Sequence, residues 1–73
     1  MFILAANVHR SGSVCREYYQ PEETSAPGGV VFGMLDGKKR AKQYLTEDEA
    51  VADIPAFQTV VGHNDLKVDV EAV

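Results

Sequence analysis

The sequence predicts an α+β domain in which an antiparallel sheet of about five to six strands packs on one short helix near residues 47–55. Three observations carry this expectation. Residues 66–73 (LKVDVEAV) alternate apolar and polar positions, the pattern of a strand with one buried and one wet face. Phe2 to Val8 is almost continuously apolar, as in a strand that is central or covered on both faces. Thr46-Glu47-Asp48-Glu49 places a capping hydroxyl three residues before a glutamate, the local signature of a helix start. With 73 residues the chain accommodates a single domain, 1–73, and a modest core.

Taken in order, the first strand ends in the polar stretch His9-Arg10-Ser11-Gly12, read as a hairpin loop. Ser13 to Tyr19 alternates, so Val14, Arg16 and Tyr18 share one face and Cys15, Glu17 and Tyr19 the other. Residues 20–29 (QPEETSAPGG) lose all apolar period and are punctuated by proline and glycine, which predicts a long, mobile surface loop. Residues 30–35 (VVFGML) read as a buried strand with a bulge or close backbone approach at Gly33. Asp36-Gly37 then reads as a two-residue turn into a return strand through Leu45.

In the helix that follows, Glu47, Asp48 and Glu49 lie where the dipole favours negative charge, and Ala50, Val51 and Ile54 share one face. Pro55 limits it, with a kinked extension to Phe57 at most. Phe57 to Val61 is apolar and β-branched and reads as a fifth strand; Gly62 to Asp65 is a turn cluster, and 66–73 is the last strand. The N- and C-terminal strands are both apolar enough to be paired neighbours. So short a helix covers a sheet face only in part, which leaves a face or an edge for a second copy, a homodimer.

Composition narrows the function. Hydrophobic residues at 45% with 25% charged residues argue against a disordered chain. One cysteine excludes an internal disulfide and any zinc site built on several thiolates, and it fits a reducing, cytoplasmic setting. The apolar N-terminus lacks a basic region and is too short to cross a bilayer, so neither a signal segment nor a membrane is expected. Seven Lys and Arg against eleven Asp and Glu give a net charge of −4, which makes nucleic acid an unlikely direct ligand.

The charge is segregated. Lys38, Lys39, Arg40 and Lys42 form a basic run next to Tyr44, and Glu47, Asp48, Glu49 and Asp53 form an acidic stretch directly after it. The basic run suits an anionic ligand, although lysines also keep a hairpin soluble and an edge strand unpaired. The acidic stretch suits a basic protein groove, although the helix dipole accounts for its first three members. Tyr18 and Tyr19 are adjacent, so on a strand one faces in and one out; an exposed tyrosine beside the loop suits an interface anchor, although tyrosine also serves as half-buried strand filler. His9, His63 and Cys15 form no spacing known for metal binding or nucleophilic catalysis, and the glycines at 28, 29 and 33 lead into a strand rather than into a phosphate-binding helix.

These features point to a non-catalytic protein-binding module that modulates or inhibits a macromolecular partner. The candidate contact residues are Tyr18, Tyr19, Lys38, Lys39, Arg40, Lys42, Glu47, Asp48, Glu49 and Asp53, with no metal and no cofactor. Phage- and mobile-element-encoded inhibitors, anti-CRISPR proteins among them, are often acidic single domains of this size, an analogy of size and style without a shared motif. The alternative is a small-molecule or nucleotide-binding module built on the basic turn 38–42, with a dimer supplying the pocket. A small enzyme using His9, Cys15 or His63 is the third and weakest reading.

Overall fold

The first strand, β1 (Phe2–Arg10), is the spine of the molecule. In the computed structural model, which describes residues 1–23, 27–33 and 36–73, it pairs with a neighbour on each side. β2 (Ser13–Tyr19) returns antiparallel from it, with Ala5 opposite Tyr18 and Val8 opposite Cys15. On its other side lies β4 (Asp69–Ala72), also antiparallel, with Leu4 opposite Val70. A short β3 (Val30–Phe32) adds to β2, giving four strands among the described residues in the order β3-β2-β1-β4. The expected pairing of the two ends of the chain is therefore present, in an antiparallel α+β sheet.

β1 is longer than expected because the hairpin turn is only two residues. Ser11 and Gly12 both take positive φ, 51° and 81°, the tight turn whose twist matches the strands it joins. The continuously apolar character of β1 has the predicted cause: Ile3, Leu4, Ala5 and Ala6 are all fully buried, so both faces of the strand are covered.

The helices differ most from the sequence expectation. Three are present among the described residues: α1 (Asp36–Arg40), α2 (Glu47–Ala52) and α3 (Ile54–Val61). The expected Asp36-Gly37 turn and return strand are replaced by α1. The chain leaves β3 through Gly33 (φ 92°), and helical bonds run from Gly37 N–H to Gly33 O and from Ala41 N–H to Gly37 O. Of the return strand only a bridge survives, in which Tyr44 and Phe2 exchange two backbone hydrogen bonds of 2.7 and 2.8 Å.

The expected fifth strand, Phe57 to Val61, is the body of α3. Asp53 ends α2, Pro55 sits in the first turn of α3 where its missing N–H costs nothing, and Ile54, Phe57 and Val61 follow at helical spacing. Thr59 Oγ1 donates back to Pro55 O at 2.9 Å, so this β-branched residue is accommodated inside the helix. Gly62 (φ 86°) ends it: its N–H and that of His63 fold back onto the Thr59 and Gln58 carbonyls. The helical region is thus two helices over 47–61 rather than one over 47–55, and the sheet has four strands among the described residues rather than five or six. β4 is also shorter than the expected 66–73. The centre of the expected loop, 24–26, and the end of the expected third strand, 34–35, lie outside the described residues; 27–29 form a 3₁₀ turn.

The sheet separates two cores. On one face Leu4, Ala6, Val8, Tyr19 and Val30 meet Ala50 of α2 and Phe57 of α3, with the Tyr19 and Phe57 rings stacked at 5.3 Å. On the other, Ile3, Ala5, Tyr18 and Val31 meet Ala41, and α1 lies against Tyr18. The second face is therefore not left bare, as a single-helix fold would leave it.

A polar network ties β4 to the rest of that second face. Arg16 reaches across β1 to Asp69 at 3.0 Å and Glu71 at 2.5 Å, and Lys38 of α1 meets Glu71 at 3.3 Å. Burial by itself would raise the Glu71 carboxyl, but the hydrogen bonds from Arg16 and Lys38 outweigh it and hold it below its ordinary value of 4.5. A carboxyl depressed in the folded state stabilises fully above its unfolded value and loses that contribution as pH falls through the lower folded one. Glu71→Gln is expected to lower the urea midpoint at neutral pH and to flatten the acid loss from neutral pH down through the ordinary carboxylate range and below. Urea titrations monitored by circular dichroism across that range test it; parallel wild-type and variant curves would contradict the pairing.

Candidate functional site

The two tyrosines are core residues. Tyr18 is 3% exposed and Tyr19 7%, because each faces a sheet surface that a helix covers. The expectation that one of them stands exposed as an interface anchor is corrected: the alternation along β2 is as predicted, but both of its faces are packed. Burial pushes the Tyr19 phenol up, and the charge of Asp53 adds to the effect.

The basic run lies on α1 and the segment after it, not on a hairpin turn. Its charges are largely answered from within the chain. Lys38 pairs with Glu71; Arg40 meets Glu23 at 2.6 Å; Lys42 lies 3.6 Å from Glu22 and 3.9 Å from Asp53, above the Tyr44 ring. The hydrogen bond to Glu23 holds the Arg40 guanidinium above its ordinary value. Among the described residues Lys39 alone of the four has no ion pair. Sequence spacing gave no sign of these pairings, since apart from Asp53 the partners lie in the expected loop and in the last strand. They arise because the expected loop and α1 are neighbours in space: Gln20 Nε2 also donates to Arg40 O at 2.6 Å.

The acidic stretch divides into two parts. Glu47, Asp48 and Glu49 are exposed in the first turn of α2 and make no side-chain ion pair among the described residues. The cap forms as expected, with Thr46 Oγ1 accepting the Glu49 N–H at 3.2 Å. Asp53 does not belong with them. It sits half-buried at the α2–α3 junction and accepts the Tyr44 hydroxyl at 2.7 Å. Burial and that bond push the Tyr44 phenol strongly upward, so it stays protonated and keeps donating. Asp53 and Tyr44 together fasten the helix junction to the segment bridged to β1.

The remaining chemistry-bearing residues do not converge. His63 lies 3.4 Å from Asp65 in an exposed turn, Cys15 is half-buried on β2, and no group of three or more metal-ligating side chains occurs among the described residues. No helix among the described residues is long and apolar enough to cross a membrane. One charged group that sequence reasoning passed over is Glu17. It is fully buried on the α2–α3 side of the sheet and held by Arg10 through two hydrogen bonds of 2.5 and 3.0 Å. The only sign of it in the sequence was its position between Cys15 and Tyr19 on an inward face.

No protein-family model, no curated protein and no solved structure matches the chain.

Proposed function

We propose that the protein is a small non-catalytic binding module whose acidic face on α2 docks on a basic surface of a protein partner and modulates or blocks it. The observation that carries this reading is the asymmetry of unanswered charge. Three of the four basic-run residues are engaged by carboxylates of the same chain, whereas Glu47, Asp48 and Glu49 stand exposed without ion pairs among the described residues. Complementary potential steers such an encounter and selects against acidic partners. An inhibitor from a phage or mobile element, in the style of anti-CRISPR proteins, fits this design. The alternative, an anion- or nucleotide-binding site over 38–42, would have to break the pairs to Glu22, Glu23 and Glu71, and it retains Lys39 as its ready cation.

Affinity capture from a nuclease-treated bacterial lysate, repeated with the Glu47→Gln/Asp48→Asn/Glu49→Gln variant, tests the reading. A stoichiometric basic protein is expected with the wild type, and its affinity is expected to fall by about tenfold or more in the variant. Unchanged capture by the variant, or recovery of nucleic acid alone, would reject the acidic face as the contact.

A further inference from the structure

β4 is an open edge of the sheet, and its hydrogen-bonding phase is readable. Val73 N–H donates to Met1 O at 2.8 Å, while Phe2 exchanges its backbone bonds with Tyr44 on the opposite side. Antiparallel ladders alternate between facing and outward residues, so with Ile3 opposite Glu71 and Ala5 opposite Asp69, these pairs face each other. Val70 and Ala72 then turn their N–H and C=O groups outward, where the order β3-β2-β1-β4 places no further strand among the described residues. The larger apolar core is open along the same border. Leu66, Val68 and Val70, with Ile54 and Val61 of α3, pack against it only half-buried, whereas Leu4, Ala6 and Phe57 are sealed.

We propose that this edge is where a second copy of the chain docks, strand to strand, with residues 66–70 paired antiparallel about a two-fold axis at Val68. The choice of occupant and register follows from charge. Leu66-Lys67-Val68-Asp69-Val70 is self-complementary: reversed upon itself about Val68, it sets Lys67 of each copy opposite Asp69 of the other, twice, and Leu66 opposite Val70. Pairing about Val70 would set Asp69 against Glu71 twice, and pairing about Glu71 would set Glu71 against itself; pairing about Asp69 would set Lys67 opposite Glu71 twice but Asp69 against itself, with Glu71 already held by Arg16 and Lys38. Residues 66–68 precede β4 as an extended lead-in, and Leu66 ends the overlap: its N–H already bonds His63 O at 3.3 Å and its C=O accepts from Gln58 Nε2 at 2.8 Å, so the pairing bonds are those between the two Val68 residues and from Val70 N–H to the second acceptor site of Leu66 O. Lys67 is exposed and has no ion pair among the described residues, and the Asp69 side chain, though bonded to Arg16, is 43% exposed. The two sheets join into one, and the half-buried border of each core gains cover. The interface does not involve Glu47, Asp48 or Glu49, so it stands apart from the partner contact proposed above.

Light scattering on a sizing column at about 100 µM, where a micromolar dimer is almost fully formed, is expected to give twice the 8.0 kDa chain mass. Lys67→Glu sets a carboxylate against Asp69 in both pairs and is expected to weaken the dimer by about tenfold or more. Lys39→Glu makes the same charge change on α1 and is expected to leave the dimer unaltered. Amide exchange followed by NMR supplies the register: Val68 and Val70 are expected to be protected in the wild type and to exchange several-fold faster in Lys67→Glu, while Ile3 and Ala5 stay protected in both. A monomeric wild type, an assembly larger than two, a Lys67→Glu dimer of undiminished affinity, or a dimer with unprotected Val68 and Val70 would each overturn the proposal.

Discussion

Replacing Arg10 by methionine is expected to destabilise the fold by about 3 kcal/mol, because it strands a carboxylate in the interior. Glu17 is fully buried, and Arg10 grips both of its oxygens from the end of the neighbouring strand. Removing one partner of a buried pair leaves an uncompensated charge, which costs about 3–5 kcal/mol in general. The lower end applies because the Arg10 side chain is itself 46% exposed, so water screens that end of the pair. For a chain of this length, total stability is roughly 4–11 kcal/mol, so the loss is a large share of it. The double variant Arg10→Met/Glu17→Leu is expected to recover most of the stability, since a matched apolar pair avoids the desolvation of both charges. Urea denaturation of the wild type, the single and the double variant decides this. A single variant within about 0.5 kcal/mol of wild type would mean that Glu17 has access to water despite its burial.

Gly37→Ala is expected to destabilise by about 1–3 kcal/mol, against the sign that helix propensity alone would give. On an ordinary helix the change gains close to 1 kcal/mol, because glycine loses more backbone entropy than alanine. Here α1 lies so close to the sheet that the added methyl would come within 2.6 Å of Tyr18 Cδ2 and 3.1 Å of the Phe32 carbonyl oxygen. Neither atom can retreat at low cost: the Tyr18 ring is 3% exposed among Ile3, Ala5, Val31 and Ala41, and the carbonyl belongs to β3. The exposed Lys39→Ala on the same helix is the control and is expected to change stability by no more than about 0.5 kcal/mol. A stabilised Gly37→Ala would show that α1 packs more loosely on Tyr18 than these distances imply.

The two experiments probe opposite faces of one sheet, and they mark where sequence reasoning succeeds and where it stops. The N-cap at Thr46 was legible because its partners lie three residues apart, and local geometry decides whether such a bond forms. The central place of β1 was legible because the unbroken apolar run Phe2 to Ala6 must be covered on both faces. Phe57 to Val61 was misread because a run in which four of five residues are apolar or β-branched fits either period; the apolar spacing of Ile54, Phe57 and Val61 and the glycine stop at Gly62 separate the two only when weighed together. Asp36-Gly37 was misread because a dipeptide turn signal does not reveal that a helical bond from Gly37 N–H to Gly33 O already encloses it.

The candidate surface divides along the same line. That Glu47, Asp48 and Glu49 stand together and exposed followed from the sequence, since a capped first turn presents its acids to water. The fate of the basic run did not. Whether Lys38, Arg40 and Lys42 are available depends on which carboxylates the fold brings beside them, and Glu71 is 33 residues away from Lys38 in the chain. Residue type and short-range spacing thus determined the α+β class, the buried spine, the helix start and the segregation of charge. Tertiary structure alone decided that both tyrosines are buried, that Glu17 is held inside by Arg10, and that the cations are answered while the acids of α2 are not. Burial and ion pairing depend on distances between segments remote in sequence, and only the closed fold sets those distances.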